Sequence, residues 1–173
     1  MPTQGSSVPS SSPRGRARAD GTPKDVDREF VNLFMIYDEN ESCHLHDNIT
    51  AAGVDLEHTD GDDFQESNLK HAINGFLWDN FPTVNGSHAM TMRLGERVRW
   101  YLLGMGTEVD LHTPHWHGQT LLWMGMRTDV LELLPGSMRT ADMVPDNPGT
   151  WLYHCHVNDH ITAGMLARFR VTG

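Results

Sequence analysis

The chain has 173 residues, a net charge of -10 at pH 7 and 38% hydrophobic residues, which is enough for one folded domain with its own core. No apolar run approaches the roughly 20 residues that a membrane-spanning helix needs. The acidic charge disfavours nucleic acid and anionic membranes as partners, and it suits either a cationic substrate such as a metal ion or a solvated acidic surface.

Residues 1–23 are rich in Ser, Pro, Gly and Arg and contain almost no large apolar side chain, so they cannot bury a core. We expect a disordered arm or linker there and a single folded domain at residues 24–173. The first residues also lack the basic, apolar and small-residue order of a secretory signal. We therefore expect either that the protein is not exported by that route or that a leader precedes this sequence.

The remainder of the chain is typical of β-structure, with short apolar runs separated by turn residues such as those at 135–136 and 145–149. Strands are predicted at residues 30–37, 90–94, 98–103, 109–117, 120–126, 130–134, 137–143, 150–156 and 165–171. A short helical turn is predicted near residues 66–72. Many short strands at this spacing predict an all-β, Greek-key sandwich or barrel.

Six of the eleven histidines lie in two short motifs. They are His112, His115 and His117 in HTPHWHG, and His154, His156 and His160 in HCHVNDHITAGM. Alternate side chains of a strand point to opposite faces. If Cys155 faces the interior, the histidines on either side of it face outward.

In the first motif, His115 and His117 share one face of a strand, whereas His112 lies at odd spacing from both. The four outward histidines are therefore able to form half of an interfacial metal cluster. The inward set is Cys155 with His112 and His160.

Met165 lies ten residues after Cys155, and a thiolate with two imidazoles and a long axial thioether is the blue-copper ligand set. Because Cys155 is bonded directly to two outward histidines, an electron has a short route from this site to the outward metals. The arrangement suits one-electron oxidation of a donor coupled to multi-electron reduction of O2. A Cys/His zinc site would leave several histidines unused, and a lone methionine is often core filler.

At these residues the chain resembles the C-terminal domain of multicopper oxidases. The stretch from about residue 24 to 171 resembles a domain of the ceruloplasmin and hephaestin ferroxidases, including DENES, DFQESNLKHAING and LGMGTEVDLHTPHWHG. The resemblance implies a cupredoxin-like fold, copper as cofactor and an extracytoplasmic location.

The resemblance also implies a role for each motif residue. Type 1 copper would be held by His112, Cys155, His160 and Met165, type 2 copper by His115, and type 3 copper by His117, His154 and His156. An acidic iron site beside type 1 copper would use Glu66, His71 and Asp159. The SCHLH segment, with Cys43, His44 and His46, matches no ligand position of the family. Two cysteines are also too few for a disulfide framework.

The implied function is a copper oxidase that takes electrons at type 1 copper and reduces O2 to water at a trinuclear cluster. Fe(II) is the preferred donor, and phenols or aromatic amines, as in laccases, are the alternative. A non-catalytic electron carrier or structural cupredoxin module would have no use for the outward histidines. A nitrite reductase has a single type 2 site, which fits the pair that flanks Cys155 less well.

Members of this family build the cluster from eight histidines of two domains, and this chain supplies four. The resemblance therefore implies either a partner cupredoxin domain or a homo-oligomer. In the second case, two copies would meet across a two-fold axis. Three such pairs, a hexamer, would mimic the six-domain ring of ceruloplasmin.

Overall fold

A computed structural model of the protein describes residues 17–19, 21–55, 57, 59, 61–84 and 86–173. The predicted arm at residues 1–23 lies largely outside these residues and stays a prediction. In the part of it that is described, Ala17 forms an isolated bridge with Pro23, and the Arg18 amide donates to the Thr22 carbonyl at 2.7 Å. None of the described helices is long and apolar enough to cross a membrane.

The described residues form short strands and three short helices. The strands are β1 (Arg28–Asp38), β2 (Leu69–Ile73), β3 (Thr83–Val84), β4 (Ser87–His88), β5 (Thr91–Arg93), β6 (Val98–Gly104), β7 (Pro114–Trp116), β8 (Leu121–Trp123), β9 (Met126–Thr128), β10 (Ser137–Met143), β11 (Gly149–Cys155) and β12 (Leu166–Thr172). The helices are α1 (Leu45–Ala52), α2 (Asp62–Ser67) and α3 (Asn158–Thr162), and a 3-10 turn covers Glu39–Glu41.

Within the described residues, six strands form one sheet in the order β2-β1-β6-β10-β8-β9, and four form a second in the order β5-β12-β11-β7. Pairs β1–β6 and β12–β5 are parallel, and the other neighbours are antiparallel. Neighbouring strands that are distant in sequence show that the chain crosses between the sheets. The predicted all-β sandwich is thus confirmed.

The core lies between the two sheets. Every second residue of β6 and β12 contributes to it, namely Val98, Trp100, Leu102, Ala167, Phe169 and Val171. The Trp100 ring lies 5.5 Å from that of Trp116 and 5.3 Å from that of Tyr153. Burying such a side chain stabilises the fold by about 1.5–3 kcal/mol. Each histidine motif is therefore anchored by a core aromatic residue of its own strand, Trp116 in β7 and Tyr153 in β11.

The helical turn predicted near residues 66–72 is misplaced. Helix α2 ends at Ser67, and strand β2 follows it, with His71 paired to Ile36 of β1. Local sequence cannot show this pairing, because the partner strand is 35 residues away. The boundary puts Glu66 at the end of a helix and His71 on a strand.

Three other predicted strands are shorter or broken. In the run at 109–117 only Pro114–Trp116 is a strand, and the run at 120–126 contains a tight turn at Met124 and Gly125, where φ is 49° and 82°. The run at 130–134 forms isolated bridges, in which Val130 pairs with His115 and Leu133 with His112.

Candidate metal centres

Strands β7 and β11 bring the two motifs side by side. Their register pairs His154 with His115 and Cys155 with Pro114. Cys155 is fully buried, and so is Trp116 in the neighbouring strand. One strand pair therefore supplies residues to two donor groups, which we call the inner site (His112, Cys155 and His160) and the outer site (His115, His117 and His154).

The inner site is a closed group of soft and borderline donors. One ligand atom from each of its three residues lies within 4.8 Å of the other two, and all three residues are buried. Cys155 Sγ is 3.4 Å from His160 Nδ1, and the rings of His112 and His160 have centroids 5.1 Å apart.

His112 is oriented by the backbone beside it. Its Nε2 lies 3.1 Å from the Met105 carbonyl oxygen, which can only accept a hydrogen bond, so Nε2 carries the hydrogen and donates it. The other nitrogen, Nδ1, is buried and has no hydrogen-bond partner among the described residues. Burial lowers the pKa of His112, so the imidazole stays neutral with a free lone pair. A buried nitrogen with a free lone pair and no hydrogen-bond partner fits a metal ligand.

Cys155 is held in a similar way. The Thr113 amide donates to its Sγ at 3.3 Å, although burial raises the pKa of the thiol. The thiolate therefore requires a nearby cation. Met165 is fully buried, its amide donates to the His160 carbonyl at 2.9 Å, and its carbonyl accepts from the Cys155 amide at 3.0 Å. The backbone of Met165 is thus hydrogen-bonded to two of the three inner-site residues, His160 and Cys155.

The outer site converges on one nitrogen of His154. His154 Nδ1 donates to the Cys155 carbonyl at 2.7 Å, which leaves Nε2 as an acceptor. His115 Nδ1 lies 3.2 Å from this Nε2, and His117 Nε2 lies 3.0 Å from it. His154 is buried under these two rings rather than exposed, and burial lowers its pKa. Three imidazoles facing one another fit a cation between them.

His156 does not join that compact group. It is exposed, and its ring lies 5.0 Å from that of His115 and 5.5 Å from that of His154. Asp129, which the sequence did not single out, has Oδ2 at 3.6 Å from His115 Nε2. This carboxylate and the Thr113 amide orient ligand candidates and carry no recognisable motif of their own.

The residues predicted to form an iron site, Glu66, His71 and Asp159, are only partly brought together. His71 Nε2 donates to Glu66 Oε1 at 3.1 Å, and its buried Nδ1 has no partner among the described residues. Asp159 is exposed beside His160 and is not in a compact donor group with these two. Cys43, His44 and His46 are all exposed and likewise form no such group.

Residues 48–173 match the family described as multicopper oxidase. The chain belongs to the multicopper oxidase family. This multicopper oxidase chain is 44% identical over 156 residues to a Homo sapiens protein named Ferroxidase HEPHL1, and 45% identical over 148 residues to Homo sapiens Ceruloplasmin. These matches cover 89% and 83% of the chain but only 13% of each relative, so the chain spans about one eighth of their length.

A solved structure described as a multicopper oxidase shares the fold, with a TM-score of 0.61 at 19% identity. The match covers 88% of this chain and 46% of that one. The prediction of a cupredoxin-like fold in the multicopper oxidase family is confirmed, and copper is the metal that the family uses.

Proposed function

We propose that this chain is a copper oxidase domain whose inner site takes electrons from a donor and whose outer site is part of a trinuclear centre. Type 1 copper is assigned to His112, Cys155, His160 and Met165, type 2 copper to His115, and type 3 copper to His117, His154 and His156. Copper bound there would supply one-electron oxidation of the donor and multi-electron reduction of O2 to water.

The observation that carries this proposal is the position of Cys155 between the two sites. Its Sγ lies 3.4 Å from His160 Nδ1 in the inner site, while its neighbour His154 places Nε2 3.0 Å from His117 Nε2 in the outer site. The two donor groups are therefore joined by a single peptide unit. A plain electron carrier has no use for the second group, which argues against a non-catalytic module.

The surrounding residues hold the donors in place before any metal binds. The Met105 carbonyl fixes the ring of His112, the Thr113 amide points at the sulfur, and the Cys155 carbonyl fixes His154. Partners of this kind orient metal ligands and fix the tautomers of the histidines among them. Burial of the inner site also excludes water from the sulfur.

Fe(II) is the donor that we propose in preference to phenols. Glu66 and His71 form a carboxylate–imidazole pair, the ring of His71 lies 5.1 Å from that of His160, and Asp159 is adjacent to His160 in sequence. An electron from Fe(II) bound there would reach the inner site through His160, and Fe(III) would remain as product. The name of the relative Ferroxidase HEPHL1 agrees with this choice.

The outer site is proposed to be completed by a second copy of this chain. His117 and His156 are exposed, and His115 is partly so, which leaves this side of the described structure open to a partner. Two copies that meet across a two-fold axis would each contribute the same four histidines. A homologous partner domain would serve the same purpose.

Oxygen consumption by the copper-loaded protein tests the proposal. Cys155→Ser should abolish O2 uptake with Fe(II) and with phenols, because both donors deliver electrons through the inner site. Cys43→Ser is the matched control, since Cys43 is the exposed second cysteine, and it should retain full activity. Undiminished O2 uptake by Cys155→Ser would contradict the proposal.

A further inference from the structure

A loop of unusual backbone lies against the residues on both sides of Met165. Trp78 and Asp79 are consecutive and have φ of 55° and 58°, a region that residues other than glycine rarely adopt. The Trp78 amide donates to the Gly164 carbonyl at 2.9 Å, and the Asp79 amide donates to the Leu166 carbonyl at 3.0 Å. We call these two residues the Trp78–Asp79 loop.

The Asp79 carboxylate fastens this loop to strand β12. Its side chain is only 7% exposed, and its Oδ1 accepts from the Arg168 amide at 2.7 Å and from His88 Nε2 at 3.0 Å. Its Oδ2 accepts from Arg168 Nε. Burial raises the pKa of Asp79, but the hydrogen bonds from Arg168 and His88 outweigh it, so the pKa is lowered and the group stays ionised.

The tautomer of His88 is set by a further bond. The Met90 amide donates to His88 Nδ1 at 3.2 Å, so Nε2 carries the hydrogen that Asp79 accepts. The three donors that reach the carboxylate of Asp79 thus come from the strand after Met165 and from the segment next to β5. These bonds attach the Trp78–Asp79 loop to both of those segments.

The Trp78 indole covers the residue before Met165. Gly164 has φ of 108°, and a Cβ there would lie 2.7 Å from Trp78 Nε1, so only glycine fits under this ring. On the other side, the peptide groups of Met165 are bonded to His160 and Cys155. The backbone around Met165 is therefore clamped between the inner-site residues and the Trp78–Asp79 loop.

We propose that Asp79 is a positioning residue that, through this loop, fixes the Met165 thioether relative to Cys155, His112 and His160. The inference rests on the proposed type 1 copper at the inner site. The potential and spectrum of such a site depend on the axial ligand and on its surroundings. Releasing the loop would let the Met165 thioether move without removing any of the side chains proposed to hold copper.

The test compares copper-loaded Asp79→Asn with the unmodified protein and with Asp27→Asn. Asp27 is a suitable control because it is also paired with an arginine, Arg97. This pair lies at the surface, next to the start of strand β1. We expect Asp79→Asn to retain its copper while shifting the visible Cys–Cu(II) band and the midpoint potential beyond the scatter of replicate titrations. Asp27→Asn should change neither.

An exposed second variant keeps the test decisive if Asp79→Asn folds poorly. Arg168→Gln removes the bond to Oδ2 from a side chain that is 61% exposed, and a smaller shift in the same direction is expected. Unchanged band and potential in both variants, with copper retained, would overturn the role of Asp79. Absence of the band in the unmodified protein would instead overturn the copper assignment, and this inference with it.

Discussion

The imidazole rings of His71 and His160 lie with their centroids 5.1 Å apart and their planes at 58°. His71 belongs to strand β2 of one sheet, and His160 belongs to helix α3, which follows β11 of the other. The contact therefore joins the proposed donor-binding pair to the proposed type 1 ligands across the end of the sandwich.

Removal of the Glu66–His71 pair should separate iron from organic donors. In Glu66→Ala/His71→Ala we expect Fe(II) oxidation to fall by about tenfold or more, because the carboxylate and imidazole that would bind the ion are gone. Phenol oxidation and the type 1 band should be retained. Steady-state rates with both donors measure this.

Glu41→Ala/His46→Ala is the matched control for that experiment. It removes an exposed acid and an exposed histidine that lie outside both donor groups, so both rates should stay unchanged. Equal loss of iron and phenol oxidation in the Glu66/His71 variant would contradict a dedicated iron site.

An outer-site variant should keep the inner site intact. His117→Ala removes a nitrogen that lies 3.0 Å from His154 Nε2 and belongs to the outer site, while all the inner-site donors remain. We expect the type 1 band to persist and to bleach once when Fe(II) is added without O2. Catalytic O2 uptake should be lost, as an oxygen electrode would show. Loss of the band together with turnover would mean that the two sites are not separable.

The stability of the metal-free protein should fall in mild acid. Burial lowers the pKa of His112, His154 and His160 below the ordinary value of 6.5. As the pH falls below 6.5, the unfolded chain binds more protons than the folded one, so the free energy of unfolding decreases toward the lowered pKa values. Urea midpoints should therefore be lower at about pH 5.5 than at about pH 7.5.

The Asp27–Arg97 ion pair does not explain a change in that pH window. Arg97 lowers the pKa of Asp27 to about 2, so this ion pair is lost only in much stronger acid. An equal or higher urea midpoint at the lower pH would show that the buried histidines are not neutral in the metal-free fold.

Gly118 should be intolerant of a side chain. It follows His117, has φ of 68°, and a Cβ there would lie 2.5 Å from the Trp151 ring. We expect Gly118→Ala to lower the free energy of unfolding by about 1–3 kcal/mol through backbone strain and overpacking. Gly125→Ala is the control, because Gly125 has φ of 82° but open space around it, and only strain should appear. Equal losses would show that the Trp151 contact is unimportant.

The strand alternation of the HCH motif was predictable from sequence, because a period of two residues is local. It placed the two neighbours of Cys155 on the opposite face from the cysteine, outward if Cys155 lies inside. It did not show that His154 would be buried under the rings of His115 and His117, since that depends on the register between β7 and β11. The motif spacing likewise identified the donors but not their tautomers.

Other features depend on contacts that no local pattern contains. The His112 tautomer is set by the Met105 carbonyl, and strand β2 exists because it pairs with β1. The left-handed backbone at Trp78 and Asp79 carries no glycine signal, and bonds to Gly164, Leu166 and Arg168 stabilise it. These are long-range interactions, so the folded chain alone reveals them.

The oligomeric mass of the copper-loaded protein, measured together with its copper content and its type 1 and type 2 EPR signals, tests the central claim most directly. A cluster shared between two copies predicts an even-numbered oligomer with about five coppers per two chains and both EPR signals. A monomer that holds one type 1 copper and shows no type 2 signal would contradict it.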